Sequence, residues 1–345
     1  MQNRAKPLVE IKQLNTHFVN STGFFKGKTV LHAVKNMQFS INEGETFGLV
    51  GESGCGKSTL GRTLLRLYKP TSGQILFQGK DIAKLSEKEL KPFRKEMQSI
   101  FQDPLSSLNP NMTVEQLVGE SLQIHDMYQG INSKIERKEY IVSLLEKVGL
   151  QSMHLSRYPH EFSGGQRQRI SIARALAVKP KFIVCDEPLS ALDVSVQAQV
   201  VNLLQDLQKE FGITYLFIAH DLDMIRHISH HIGVMFLGAL VETGTCEELY
   251  TSPLHPYTQM LLNSTPKVPN FNEDIKNPPV FEEGIKIAEP KALDISNNNQ
   301  DAKTNVSKGC LFASRCPHAT PKCLSVEPKQ IQINSSHKVS CHLYS

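Results

Sequence analysis

The sequence predicts an α/β fold with a mainly parallel sheet, a β-rich N-terminal part and a helical insertion. Short apolar runs end in a glycine or a carboxylate, helical stretches alternate with them, and one long block carries helical spacing with few strand signals. The 345 residues, 40% hydrophobic and 21% charged, can bury a sizeable core. At about 150 residues per domain this length suggests about two domains. Lys+Arg 38 against Asp+Glu 34 leaves a net charge of +4, too slight an excess to imply nucleic acid.

Each element follows from its pattern. Val9-Glu10-Ile11 and Phe39-Ser40-Ile41 alternate apolar and polar, as half-buried strands do. Thr46–Val50 is a short apolar run closing at Gly51, which suits a buried parallel strand. A helix then runs through Leu60, Leu64, Leu65 and Leu67 until Pro-Thr-Ser-Gly at 70–73 turns the chain, and 74–77 reads as another strand. Residues 104–162 carry helical spacing at Val114, Leu117, Val118 and Leu122, then at Ile141, Leu144, Leu145 and Val148. Strands return at 181–185 and 214–219, around a helix near Val194–Phe211.

From residue 263 the composition changes. Pro266, Pro269, Pro278, Pro279, Pro290 and the Asn-rich run at 297–300 mark a linker. The expected organisation is a domain over 1–262 with its helical part at 104–162, a linker over 263–308 and a Cys-rich extension over 309–345. No internal repeat is visible. The longest uncharged apolar stretches, 213–219 and 232–241, fall far short of the ~20 residues of a membrane helix. The N-terminus has no apolar leader core, so a cytosolic chain with reduced or metal-bound cysteines is expected.

Gly51-Glu52-Ser53-Gly54-Cys55-Gly56-Lys57-Ser58 fits GxxxxGK[ST] in full, followed by Thr59, between a predicted strand and a predicted helix. Glycines let backbone N–H groups wrap phosphates, and the helix start adds partial positive charge. Lys57 would reach the β- and γ-phosphates of ATP and Ser58 would ligate Mg²⁺. A plain Gly-rich turn is the bland alternative. The core is therefore expected to be a P-loop NTPase (RecA-like). The run at 182–186 ends a buried strand in Asp186, which can hold the Mg²⁺ shell, and Glu187 follows where a base could polarise water. On its own that pair would be an ordinary strand-end acidic pair.

Ser163-Gly164-Gly165-Gln166 precedes a helix with apolar Ile170, Ala173, Leu176 and Ala177. Ser163 can cap it, and the two glycines leave N–H groups open to an anion. A second phosphate-binding helix start in one chain makes sense if two subunits meet head to tail around one ATP. A capped helix with a flexible lead-in is the alternative.

Taken in order, these motifs with Gln102, Ser190-Ala191-Leu192-Asp193 and His220 resemble the nucleotide-binding subunit of ABC transporters over residues 8–262. The resemblance implies an ATP-hydrolysing dimer in which each ATP lies between one P-loop and the other subunit's signature. It implies Gln102 as a residue sensing Mg²⁺ and the membrane partner, Glu187 as catalytic base, His220 as γ-phosphate switch and Asp193 as the aspartate that communicates across the dimer. Phe18 best fits the aromatic that stacks on adenine, with Phe24, Phe25 and His32 as competitors. His220 alone would be a bland strand-end histidine, and Gln102 alone an unremarkable surface glutamine.

Phe101-Gln-Asp-Pro-Leu-Ser-Ser-Leu-Asn-Pro110, Arg157-Tyr-Pro-His-Glu-Phe162, Ser252-Pro-Leu-His-Pro-Tyr-Thr258 and Gly309-Cys-Leu-Phe-Ala-Ser-Arg-Cys-Pro-His318 resemble the oligopeptide/dipeptide importer branch, and its second, F-type ATPase subunit. That branch implies a peripheral subunit on the cytoplasmic face of the membrane. Its implied partners are a second, related ATPase in a heterodimer, two permease subunits and, indirectly, an extracellular solute-binding protein, with no nucleic acid. A nickel or metal-chelate importer, or a soluble ABC ATPase acting on nucleic acid, are the alternatives.

The tail cysteines are Cys310, Cys316, Cys323 and Cys341. Their spacing is neither the CxxC pairing of common zinc sites nor a ferredoxin pattern. Four reduced cysteines leave a metal site and free thiols both open. The resemblance implies a structural [4Fe–4S] cluster, with Zn²⁺ as runner-up, stapling a tail too small to hold a core of its own. Cys185 is expected to be inert core, Cys55 a P-loop thiol open to alkylation, and Cys246 incidental.

Overall fold

The computed structural model describes residues 7–21, 28–128, 133–264 and 308–345. Phe24, Phe25 and nearly all of the expected linker lie outside the described residues. The chain opens with β1 (Pro7–Ser21) and β2 (Lys28–Asn42), antiparallel, with Val9 opposite Ile41 and Ile11 opposite Phe39. Then come β3 (Thr46–Val50), α1 (Lys57–Leu64), β4 (Ser72–Phe77) and β5 (Lys80–Asp81). The first sheet runs β2-β1-β4-β5. Helix α1 stops earlier than its leucines suggest. Arg66 takes a left-handed φ of 56°, which ends the helical hydrogen bonding, and Leu67 lies beyond the end, 50% exposed.

Next follow α2 (Glu87–Glu96), β6 (Met97–Ile100), α3 (Pro104–Ser107), α4 (Val114–Ile124), α5 (Lys134–Lys147), α6 (Gly164–Leu176) and β7 (Phe182–Asp186). Between β6 and β7 the described residues form helices and turns, without a strand. Helix α4 starts on a capping box in which Gln116 Oε1 accepts the Thr113 N–H at 2.8 Å. Its buried stripe is Val114, Leu117, Val118 and Leu122, the helical spacing seen in the sequence.

The second half holds α7 (Val194–Phe211), β8 (Thr214–Ala219), α8 (Leu222–Ile228), β9 (His231–Phe236), β10 (Ala239–Thr245), α9 (Cys246–Thr251) and α10 (Pro256–Ser264). The C-terminal segment adds α11 (Pro321–Ser325), β11 (Ile331–Gln332) and β12 (Lys338–Val339). The large sheet runs β11-β12-β10-β9-β3-β8-β7-β6. Its members β9, β3, β8, β7 and β6 are parallel, and β10, β12 and β11 form an antiparallel margin.

Strand alternation divides the interior in two. Phe182 and Val184 of β7, with Leu216 and Ile218 of β8, face the core shared with α1, α2 and the first sheet. Ile183 and Cys185, with Tyr215 and Phe217, face the core shared with α4 to α7. Both faces are covered, which is why these strands read as unbroken apolar runs.

The tail is seated on the cassette by ordinary packing. Phe312 is 1% exposed and lies 5.4 Å from the rings of both Phe236 and Tyr257. Strand β12 pairs with β10, Glu242 opposite Val339. The fully buried Glu242 carboxylate accepts the N–H groups of Leu254 (2.8 Å) and His255 (2.9 Å) and bonds His337 Nε2 at 2.7 Å. The tail therefore draws part of its core from the sheet through Phe312 and β12.

Candidate functional site

Three strands of the parallel sheet, β3, β8 and β7, deliver their carboxyl ends side by side, the usual place for a ligand in such a sheet. The loop 51–56 leaves β3 and feeds α1. Its glycines are sterically required. A Cβ on Gly51 would lie 2.1 Å from the Met235 carbonyl oxygen, and one on Gly56 2.1 Å from that of Ala33. Gly56 also holds a left-handed φ of 107° at the helix start. A Cβ on Gly54 would meet nothing within 4 Å, but its left-handed φ of 78° still favours glycine.

That loop walls a pocket of about 370 Å³, lined by Ser53 to Thr59 together with Phe18, His32, Gln102, Glu187 and Gly238. Lys57 is buried, and its Nζ donates to the carbonyls of Gly51 (2.7 Å) and Glu52 (3.0 Å). Ser58 Oγ donates to Asp186 Oδ1 at 2.7 Å, and Arg62 Nη2 approaches Asp186 Oδ2 at 4.0 Å. Two oxygen donors side by side beneath a phosphate cradle suit a hard cation such as Mg²⁺, so the chain's chemistry fits both nucleotide and ion.

Gln102 Nε2 donates to Glu187 Oε2 at 2.9 Å, and His220 Nδ1 lies 3.9 Å from the same oxygen. Glu187 takes φ 46°, a left-handed conformation that side chains other than glycine rarely adopt. Its N–H donates to the Ile218 carbonyl at 3.0 Å, which ties the bend to β8. Phe18 reaches the pocket from β1 and meets Tyr68 edge-on, 5.4 Å between centroids. His32 lines the same wall, bonded through Nδ1 to His17 Nε2 at 2.9 Å.

The signature residues stand apart from this pocket. Ser163 and Gly164 are exposed, and neither they nor Gly165, Gln166 or Asp193 line it. Ser163 caps α6 as expected: its Oγ accepts from Gln166 N at 3.3 Å, and Gln166 Oε1 accepts from Ser163 N at 3.1 Å. Gly165 has a packing reason too. A Cβ there would lie 2.5 Å from Val196 Cγ1, so the glycine lets α6 approach α7. Asp193 precedes α7, and its neighbour Val194 is 81% exposed.

Residues at this site that motif reading passed over come from the C-terminal region. Tyr257 Oη accepts the Glu52 N–H at 2.9 Å. Arg315 donates to both Glu52 oxygens, at 2.9 and 2.7 Å, and Leu311 lines the pocket. Both Tyr257 and Arg315 sit inside stretches whose family likeness is legible, but nothing in their spacing points to residue 52.

The thiols divide by environment. Cys185 is fully buried, and burial pushes its thiol far up, as expected of inert core. Burial also raises the Cys55 thiol, which argues against the expected ease of alkylation. Burial raises Cys310, Cys316 and Cys341, and each is raised further by the charge of neighbouring tail thiols. A hydrogen bond from the Thr320 hydroxyl lowers Cys323. A single zinc ion needs its sulfurs gathered at about 2.3 Å from the metal. Among the described residues no group of three or more His, Cys, Asp or Glu side chains is placed to hold a metal ion, the tail cysteines included.

A family model described as ABC transporter matches residues 34–190, and one described as oligopeptide/dipeptide transporter, C-terminal region, matches 241–283 and 284–323. The oligopeptide transport ATP-binding protein OppF of Bacillus subtilis (strain 168) is 57% identical over 260 residues, 75% of this chain and 82% of the relative. AppF of the same organism, with the same description, is 48% identical over 340 residues, 98% of each chain. Among solved structures, a dimeric post-hydrolysis state of the ATP-binding cassette MJ0796 bound to ADP and Pi has a TM-score of 0.62 at 29% identity, covering 69% of this chain and 98% of the other. No described helix is long and apolar enough to cross a membrane.

Proposed function

The chain belongs to the ABC transporter ATPase family and carries the C-terminal region of its oligopeptide/dipeptide branch, and from that premise we propose that it hydrolyses ATP to power peptide uptake through separate permease chains. The observation that carries the reading is the convergence of Lys57, Ser58, Asp186, Gln102, Glu187 and His220 at the carboxyl ends of β3, β7 and β8. The relatives' description as oligopeptide transport proteins favours peptide over metal chelate or nucleic acid as the business of this chain.

In this reading Ser53, Gly54, Cys55, Gly56 and Thr59 wrap the phosphates, and Lys57 leaves its two carbonyls for the β- and γ-oxygens. Ser58, Asp186 and Gln102 would hold Mg²⁺, which when bound would draw charge from the phosphate oxygens. Glu187, steadied by Gln102, takes the proton of the attacking water, and His220 contacts the γ-phosphate. Phe18 stacks on adenine. Ser163, Gly164, Gly165 and Gln166 complete the pocket of a second ATPase, and Asp193 faces that same partner. The separation of the signature from the chain's own pocket supports this division of labour.

The partner is a related but distinct ATPase. The pair docks on two permease chains at the cytoplasmic face of the membrane, fed from outside by a solute-binding protein. The tail thiols are assigned to a structural [4Fe–4S] cluster on the donor set alone, and protein purified without oxygen that lacks iron and sulfide rejects it. For the main reading, copurification with permeases and a second ATPase, with peptide-stimulated phosphate release that Lys57→Ala abolishes, is the test. Phosphate release unaffected by Lys57→Ala overturns it.

A further inference from the structure

Glu52 is a junction of three parts of the chain. Its carbonyl accepts from the phosphate-loop lysine, Lys57, at 3.0 Å. Its N–H donates to Tyr257 of α10 at 2.9 Å. Its carboxylate takes both prongs of Arg315, a residue 263 positions away in the tail. Arg315 is held for this contact: its guanidinium lies 5.7 Å from the Phe236 ring and 5.6 Å from that of Phe312, and Nη2 lies 3.6 Å from Met260 Sδ. Glu52 itself does not line the nucleotide pocket, although Ser53 to Thr59 do.

A carboxylate in the loop that receives a polyanion is an electrostatic liability, since like charges a few ångströms apart repel. A two-pronged guanidinium contact is the arrangement that best fixes and neutralises a carboxylate. We propose that Arg315 is a positioning residue of the nucleotide site: it turns the Glu52 side chain out of the phosphate pocket and cancels its charge, so that the C-terminal tail sets the affinity of the loop for a nucleoside triphosphate. The proposal rests on the reading of the pocket as an ATP site. It makes the tail part of the ATPase machinery. Because Arg315 lies between Cys310 and Cys316, whatever alters that turn alters nucleotide affinity.

The test is equilibrium titration of the full chain with a fluorescent ATP analogue and Mg²⁺, with thermal melting run on every variant. Arg315→Ala weakens binding about two- to fivefold, the range for a partly exposed charge contact, and raises the KM for ATP in the assembled transporter while kcat changes less than twofold. Arg315→Lys keeps the charge but loses the fork, and falls between. In a Glu52→Gln background, with no carboxylate left to neutralise, Arg315→Ala adds less than twofold. A purely structural role for Arg315 predicts the same loss in both backgrounds, and that result overturns the proposal. So does unchanged affinity in both Arg315 variants while Lys57→Ala fails to bind. Normal binding by Lys57→Ala overturns the nucleotide reading itself.

Discussion

Gln102 and Glu187, 85 positions apart, are joined by a 2.9 Å hydrogen bond from the glutamine amide to the carboxylate. The bond links the loop after β6, which leads into the helical part, to the loop after β7. One side chain thus spans from the start of the helical part to the carboxylate.

Substitution Glu187→Gln should leave nucleotide binding intact and lower phosphate release by about 10²- to 10⁴-fold, the usual weight of a positioned base. Near-normal turnover in the assembled transporter would remove Glu187 from that role.

Asp186→Asn should raise the Mg²⁺ concentration for half-maximal turnover by about tenfold or more, because Ser58 loses its charged partner at 2.7 Å. A Mg²⁺ titration of phosphate release reads this directly, and an unshifted midpoint would count against the pair as ion ligands.

Gly165→Ala should destabilise the chain by about 1–3 kcal/mol, since the new methyl meets Val196 Cγ1 at 2.5 Å and a β-branched side chain cannot swing clear. Adding Val196→Ala should recover much of the loss in urea unfolding. Failure of that rescue would place the glycine's value in the backbone rather than in the contact.

Burial holds the His255 imidazole down at about 4, against 6.5 when free. The unfolded chain therefore binds the extra proton first. Stability from this group is complete above pH 6.5, declines as pH falls from 6.5 towards 4, and costs about 3 kcal/mol in all. His255→Gln should flatten the urea midpoint across that window, and an unchanged slope would show that another group dominates.

How much of this was legible in the sequence depended on distance. The phosphate loop, the Asp186–Glu187 pair and the cap of α6 are written in adjacent residues, so they could be read from a few positions. The stripe of α4 could be read because burial repeats with the helical period. The left-handed bend at Glu187 could not, because a carboxylate gives no local sign of a conformation that β8 imposes through Ile218. Nor could the contacts of Glu52 with Arg315 or of Glu242 with His337: they join distant segments at single residues, without any period. The leucines after α1 misled for the opposite reason, since apolar residues continue past the point where Arg66 breaks the backbone pattern.

The short ladder between β10 and β12 has a consequence for any shortened version of this chain. Cut away after residue 308, the protein would bare the hydrogen-bonding flank of β10 and uncover Phe236 and Tyr257 beside it. Such a flank recruits strands from other molecules, so the truncated protein would tend to clump before its chemistry could be measured.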